Sequence, residues 1–303
     1  MEHNTEMGIG TAMKKLKKVA LVGCSNGQTK EYKPRIDSLA QTLTDLGLMV
    51  VQSPFLYEKE SVFAGTAKER AESLMEFYRD NTVDAIFDIS GGDIANEILP
   101  YLDYEQIANT DKMFWGYSDL TTIINAIYTK TGKTSVLYQV RNLIYADREN
   151  QIQRFRETVL QGKSDLFTFS YEFVQGQEME GVVVGGNIRC FLKLAGTPYF
   201  PKMADKILLL ESFHGEVPQI VTYLSQLKQM GVFEQIKGIL LGTFTQLEEK
   251  GCKPDKVELV KRYAGENIPI AVTQGIGHGM DSGAILMGKE RSFVKYERNY
   301  GRI

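Results

Sequence analysis

Lys18-Val19-Ala20-Leu21-Val22-Gly23 is a short, almost unbroken apolar run, which fits a strand buried on both faces. The segment after it carries Ile36, Leu39, Ala40, Leu43 and Leu46 at helical spacing and stops at Gly47, a residue that readily ends a helix. Strand then helix is the unit, and it recurs. Leu48-Met49-Val50-Val51 reads as a strand, and Thr66-Ala67-Lys68-Glu69 as a capping box that opens a helix through about Tyr78. Asp84 to Ile89 is the third strand, running into Ser90-Gly91-Gly92-Asp93 and a short helix. Met113-Phe114-Trp115-Gly116-Tyr117 follows as a further strand, with a helix from about Asp119 to Tyr128. Such alternation predicts an α/β fold with an N-terminal Rossmann- or flavodoxin-like parallel sheet, whose ligand sites lie beyond the carboxyl ends of the strands.

From roughly Arg141 to Lys163 the composition turns charged and amide-rich. That marks a crossover over 141–165, between an N-terminal domain over 16–140 and a C-terminal α/β domain over 166–303. The second domain is expected to hold strands at Leu166 to Val174, Gly181 to Gly186, Ile207–Leu210, Ile239–Leu241 and Ile268–Val272. A helix carrying Val217, Ile220, Val221, Leu224 and Leu227 falls between the third and fourth of these. Residues 1 to about 15 are polar and without periodicity, and read as a leader.

A chain of 303 residues, 43% hydrophobic and 24% charged, has room for two ordinary cores. The net charge of −3 gives no general attraction for nucleic acid or an anionic membrane, so a small-molecule partner is expected. Neither an export signal nor a membrane-length apolar stretch is visible, and a cytoplasmic protein is expected. The three cysteines, Cys24, Cys190 and Cys252, are odd in number and lack CxxC or CxxH spacing, so no disulfide framework, metal or other cofactor is expected.

Three points lie where a strand ends and the chain turns. Gly116-Tyr117-Ser118-Asp119 delivers a serine into the first turn of a helix, the geometry of a nucleophile elbow, although Leu120 stands where a second glycine would be. A serine there is equally an N-cap. Glu211 closes Ile207-Leu208-Leu209-Leu210, either as the strand reaching solvent or as a placed carboxylate. His278 lies in Gly275-Ile276-Gly277-His278-Gly279, where flanking glycines can expose the imidazole. Only His3, His214 and His278 exist, and His3 falls in the leader. A serine needing an imidazole base must use one of the other two. His278 is preferred because a separate loop can present its ring to both Ser118 and Glu211, while His214 suits a rim. Gly91-Gly92 is a tight turn or a place where a backbone N–H approaches an oxyanion, and Gly185-Gly186-Asn187 a capped strand-to-helix turn or a substrate-lining one.

Taken in order, these segments resemble the LD-carboxypeptidase family of serine peptidases, which includes the microcin-immunity hydrolases. The resemblance is carried by Gly91-Gly92 with Ile98-Leu99-Pro100-Tyr101-Leu102-Asp103, by Gly116-Tyr117-Ser118-Asp119-Leu120-Thr121 and by Gly185-Gly186-Asn187. Gly196-Thr197-Pro198-Tyr199-Phe200, Ile207-Leu208-Leu209-Leu210-Glu211 and Gly277-His278-Gly279 complete it. It implies a two-domain homodimer with its site at the domain junction, acting in peptidoglycan recycling or microcin immunity. By position it implies Ser118 as nucleophile, His278 as general base and Glu211 as its orienting carboxylate. The backbone N–H groups of Gly92 and Asp119 would form the oxyanion hole, with Gly91, Asp93 and Asn187 as substrate-binding candidates.

The sequence departs from the family pattern near the substrate. Ser90 stands where many members have arginine, Asp93 replaces a common aromatic, and Gln139-Val140 occupies the place of a frequent Gly-Pro. Conversely, Ala126-Ile127-Tyr128-Thr129-Lys130-Thr131-Gly132 is similar to the microcin-immunity branch. The expected reaction is hydrolysis of a murein-type tetrapeptide between an L-configured centre and terminal D-alanine. The alternatives are hydrolysis of a peptidyl or aminoacyl nucleotide, and a non-catalytic peptide-binding homologue.

Overall fold

The computed structural model of the chain describes residues 15–295 and the backbone of a two-residue strand, β1 (Asn4–Thr5). Apart from β1 and Lys15, the expected leader lies outside the described residues, as does His3. Strands β2 (Lys18–Val22), β3 (Met49–Gln52), β4 (Ala85–Asp88), β5 (Met113–Gly116) and β6 (Ser135–Leu137) pair in parallel, in the order β3-β2-β4-β5-β6. This is the flavodoxin-like order, with the switch in direction between β2 and β4. Helices α1 (Lys33–Asp45) and α2 (Ala67–Arg79) make the first two crossovers. Thr66 caps α2 through the reciprocal box expected: its hydroxyl accepts from the Glu69 N–H at 3.2 Å, and the Glu69 carboxylate accepts from the Thr66 N–H at 2.8 Å.

Beyond the short α3 (Tyr104–Ala108), the chain enters α4 (Thr121–Thr131), and α5 (Arg148–Phe155) leads to the second layer. That layer contains β7 (Ser170–Gln175), β8 (Glu178–Asn187), β9 (Lys206–Ser212), β10 (Gly238–Phe244) and β11 (Ile270–Val272). Strands β8, β9, β10 and β11 are parallel neighbours, and β7 closes on β11 antiparallel. Helices α6 (Ile188–Leu192) and α7 (Val217–Gln229) follow β8 and β9.

The strand expected from Leu166 begins only at Ser170, because Asp165–Phe167 form a 3-10 turn. Leu166 and Phe167 are both buried, with Phe167 against Trp115, and a strand would have turned one of two successive side chains away. Within the stretch read as the second domain, β12 (Ile285–Met287) returns to pair antiparallel with β6 at the edge of the first sheet. Then β13 (Glu290–Val294) pairs with β8 in the other sheet.

Helix α4 explains how the two layers hold together. Every residue from Thr121 to Ile127 is buried, as expected of a helix packed on all sides rather than on one stripe. Ile123, Ile124 and Ile127 share one core with Val183, Leu209 and Leu240 of the second sheet, each isoleucine contributing about 1.5–3 kcal/mol. Its polar side chains reach across too: Asn125 donates to the Gly185 carbonyl and accepts from the Gly185 N–H, while Thr121 Oγ1 accepts from the Asn187 N–H. Ser118 stands at the head of this shared helix.

Candidate active site

The carboxyl ends of the parallel strands open into a cavity of about 680 Å3, and the loops that line it follow β2, β4, β5, β6, β8, β9 and β11. Ser118, Gly91, Gly92, Asp93, Asn187 and His278 all contribute to its wall. Parallel sheets place ligand sites there because successive crossovers diverge at those strand ends.

Ser118 follows β5 by two residues and has φ +54°, the left-handed region that costs a non-glycine residue about 1–2 kcal/mol. Tyr117 before it is extended, and the Leu120 N–H closes the turn onto the Tyr117 carbonyl at 3.0 Å. The N-cap of this 3-10 turn is Tyr117 and that of α4 is Leu120, so Ser118 occupies neither cap position. The result is a strained turn that sets Ser118 on the cavity wall at a sharp strand-to-helix junction, as in a nucleophile elbow.

Glu211 is buried near the end of β9, and its Oε2 lies 2.6 Å from His278 Nδ1. The expectation that Glu211 could simply be a strand reaching solvent is thereby removed. His278 comes from the loop after β11, and Gly277, with φ +149°, lets that loop pass against β10: a Cβ there would fall 1.8 Å from Thr243 Oγ1. The imidazole lies between Tyr117, at 5.1 Å between ring centroids, and Phe213, stacked at 4.9 Å. With Nδ1 engaged by the carboxylate, Nε2 is buried and has no partner among the described residues. His214 is exposed at the cavity edge with its ring against Phe213.

The Gly91-Gly92 turn meets the loop after β2 at the switch in strand order. Asn26 and Gly91 form an antiparallel bridge, and Asn26 Oδ1 accepts from the Asp93 N–H at 2.9 Å. Gly92 has φ +124°, and a Cβ would sit 2.2 Å from the Asn26 side chain, so only glycine allows this approach. Ser90 is buried and ties the two loops: its hydroxyl donates to Asp88 at 2.6 Å and accepts from the Ser25 N–H at 2.9 Å. Burial raises the Asp88 carboxyl above its ordinary range, against the hydrogen bonds from Ser90 and the Cys24 N–H.

Asp119 has no side-chain exposure to solvent. Its carboxylate accepts from Ser25 Oγ at 2.6 Å, from the Ala95 N–H at 2.8 Å and from Lys193 Nζ at 2.5 Å. Asp93 pairs with Arg189, and Lys193 also donates to the Asp93 carbonyl at 2.8 Å. Arg189 lies within α6 and Lys193 immediately after it, so the turns flanking the cavity are held by cations of the other layer. Asn187 caps α6, accepting from the Cys190 N–H at 3.3 Å, and also lines the cavity. Asn26, Phe213, Arg189 and Lys193 escaped the sequence reasoning. The i, i+4 spacing of the two bases after an N-cap was the visible signal, but their partners lie 96 and 74 residues away in the chain.

A serine on a strained turn and a buried carboxylate–imidazole pair border one cavity between two α/β layers, and these are the group types that a serine hydrolase uses. The chain belongs to the LD-carboxypeptidase family, whose N-terminal domain matches residues 19–139 and whose C-terminal domain matches residues 180–292. Its relatives include the "Probable murein peptide carboxypeptidase" of Bacillus subtilis, 32% identical, with 74% of this chain and 70% of that one covered. The microcin C7 self-immunity protein MccF of Escherichia coli is 24% identical, with 74% of this chain and 75% of that protein covered. Among solved structures, MccF in complex with glutamyl sulfamoyl guanosine matches with a TM-score of 0.82 at 20% identity, over 93% of this chain and 95% of that one. The muramoyltetrapeptide carboxypeptidase of Oxalobacter formigenes matches with 0.76 at 21% identity, over 92% and 96%. These structural likenesses concern the fold, and family membership makes the chain a serine peptidase. Among the described residues, no helix is long and apolar enough to cross a membrane.

Proposed function

We propose that the chain cleaves an amide bond in a murein-type tetrapeptide, between an L-configured centre and terminal D-alanine, through Ser118, His278 and Glu211. The observation that carries this is the 2.6 Å Glu211–His278 contact, which leaves Nε2 as the imidazole's free nitrogen in the cavity that Ser118 lines. Glu211 accepts the Nδ1 proton and so selects the tautomer with a lone pair on Nε2. Nε2 takes the Ser118 proton as Oγ attacks the scissile carbonyl carbon. The backbone N–H groups of Gly92 and Asp119 stabilise the oxyanion; Asp119 stands in the first turn of a helix, where N–H groups lack intrahelical acceptors. The imidazolium then protonates the leaving amine, and water, deprotonated by the same ring, releases the acyl group from Ser118. Gly91, Asp93 and Asn187 border the bound substrate.

A serine-directed fluorophosphonate tests this without the natural substrate. It should label the protein at Ser118, fail to label His278→Ala, and still label His214→Ala. Loss of labelling in folded His214→Ala with retention in His278→Ala would transfer the base to His214. A second substrate class, aminoacyl or peptidyl nucleotides, is favoured by Phe213, which is 42% exposed beside the cavity and offers an aromatic platform. Turnover of nucleotide conjugates but not of tetrapeptides would select it.

A further inference from the structure

Arg35, Arg141 and Arg189 line the cavity, and they are not in the same state. Arg189 pairs with Asp93, and Arg35 is exposed, its guanidinium 5.3 Å from the Tyr32 ring centroid. Arg141 is half-buried and has no carboxylate partner among the described residues. Its hydrogen bonds go to neutral oxygens: Tyr117 Oη at 2.9 Å, Gln139 Oε1 at 3.1 Å and Gln28 Oε1 at 3.3 Å. The guanidinium carries further N–H groups, of which Nε is buried and unpartnered. Tyr32 and Tyr117 flank it at 5.7 and 5.8 Å, and Tyr145 closes the same wall through its 2.7 Å contact with Tyr32.

A permanent positive charge withdrawn from water without a counter-ion is costly, and an anion from the ligand relieves that cost. The surroundings hold the planar guanidinium in place, so it meets a carboxylate with little loss of side-chain freedom. Its position links it to the reaction. Arg141 bonds Tyr117, the residue that precedes Ser118, and also Gln139, two residues before it in the chain. Elsewhere on the cavity Arg189 is already paired with Asp93, and Arg35, also without a carboxylate partner among the described residues, is exposed and keeps its hydration, so Arg141 is the cavity arginine that is both withdrawn from water and unpaired.

Building on the peptidase function proposed above, we propose that Arg141 binds the terminal carboxylate of the substrate and so makes the cleft selective for the last residue of a peptide. Arg141 is then a specificity residue, and Gln28, Gln139 and Tyr117 position it.

The experiment compares a tetrapeptide bearing a free C-terminal carboxylate with its C-terminal amide, in the wild type, Arg141→Gln and Arg141→Lys. For Arg141→Gln, kcat/KM on the acid should fall roughly tenfold to a hundredfold, the range for a charged hydrogen bond, while the amide changes less than about threefold. Arg141→Lys should recover part of the loss. Equal losses on acid and amide would overturn the proposal and leave Arg141 as a support for Tyr117. Binding to Ser118→Ala, measured by calorimetry, separates recognition from chemistry. Tighter binding of the acid that disappears in Ser118→Ala/Arg141→Gln supports the carboxylate site even if the wild type proves to cleave neither peptide, the outcome that removes the peptidase function instead. No difference between acid and amide, or no binding of either, overturns the carboxylate site. So does a nucleoside monophosphate whose affinity depends on Arg141 when the peptide acid's does not.

Discussion

Glu211 Oε2 lies 2.6 Å from Nδ1 of His278 across 67 residues of chain, which makes the carboxylate and the imidazole one unit. Glu211→Gln keeps the shape of the side chain but can present an N–H to Nδ1 and so favour the wrong tautomer. The turnover number should drop on the order of a thousandfold with the far-UV spectrum unchanged. Steady-state kinetics on the purified variant checks this, and a loss smaller than tenfold would separate Glu211 from the reaction.

Ser118 holds φ +54°, and that strain belongs to the backbone rather than to the hydroxyl. Ser118→Gly should therefore be more stable than Ser118→Ala by about 1 kcal/mol, since glycine enters the left-handed region without the steric penalty. Neither variant should take up the fluorophosphonate. Chemical denaturation of the two side by side is the measurement, and an alanine variant as stable as the glycine one would show that the turn is relaxed.

Lys193 neutralises Asp119, which has no exposed surface, while its own side chain keeps 18% exposure. Lys193→Met leaves a buried carboxylate without its cation, and unfolding free energy should fall by about 3 kcal/mol, near the lower end for a broken buried pair. Adding Asp119→Asn should restore part of it, because the stranded charge is gone. Urea titrations compare the single and double variants; a double variant weaker than Lys193→Met by the full cost of a second independent change would mean that the two groups are not coupled.

Asp93 is held below the usual carboxylate range, chiefly by its hydrogen bond from Arg189, with burial opposing. A carboxyl whose folded value is depressed stabilises the fold above its unfolded value of about 3.9, and that stability is lost as pH falls further through the folded value. The melting temperature should thus fall less steeply below about pH 4 in Asp93→Asn than in the wild type. Superimposable acid limbs would show that the exposed Asp93–Arg189 pair contributes nothing to folding.

Much of this molecule is legible in one dimension. The strands β2, β4, β5 and β9 announce themselves as apolar runs, and α1 and α2 as amphipathic repeats with a glycine stop and a capping box, because backbone pairing and burial act over a few residues. Ser118, Glu211 and His278 stand out for the same reason: each lies at or just beyond the end of a strand that is visible locally, and the scarcity of histidine leaves His278 or His214 as the candidate base. The return of β12 to the first sheet and the 3-10 turn at Asp165–Phe167 were not legible, since both depend on surfaces supplied by distant segments. The same holds at the cavity. Whether Ser118 caps a helix or sits strained, whether Glu211 meets water or an imidazole, and which of three cavity arginines pairs with a carboxylate are matters of spacing across chain separations of tens of residues. Residue type determines what a group can do; only the packing of α4 between two sheets determines which groups meet, because hydrogen bonds and ion pairs act over a few ångströms and sequence records no such distances.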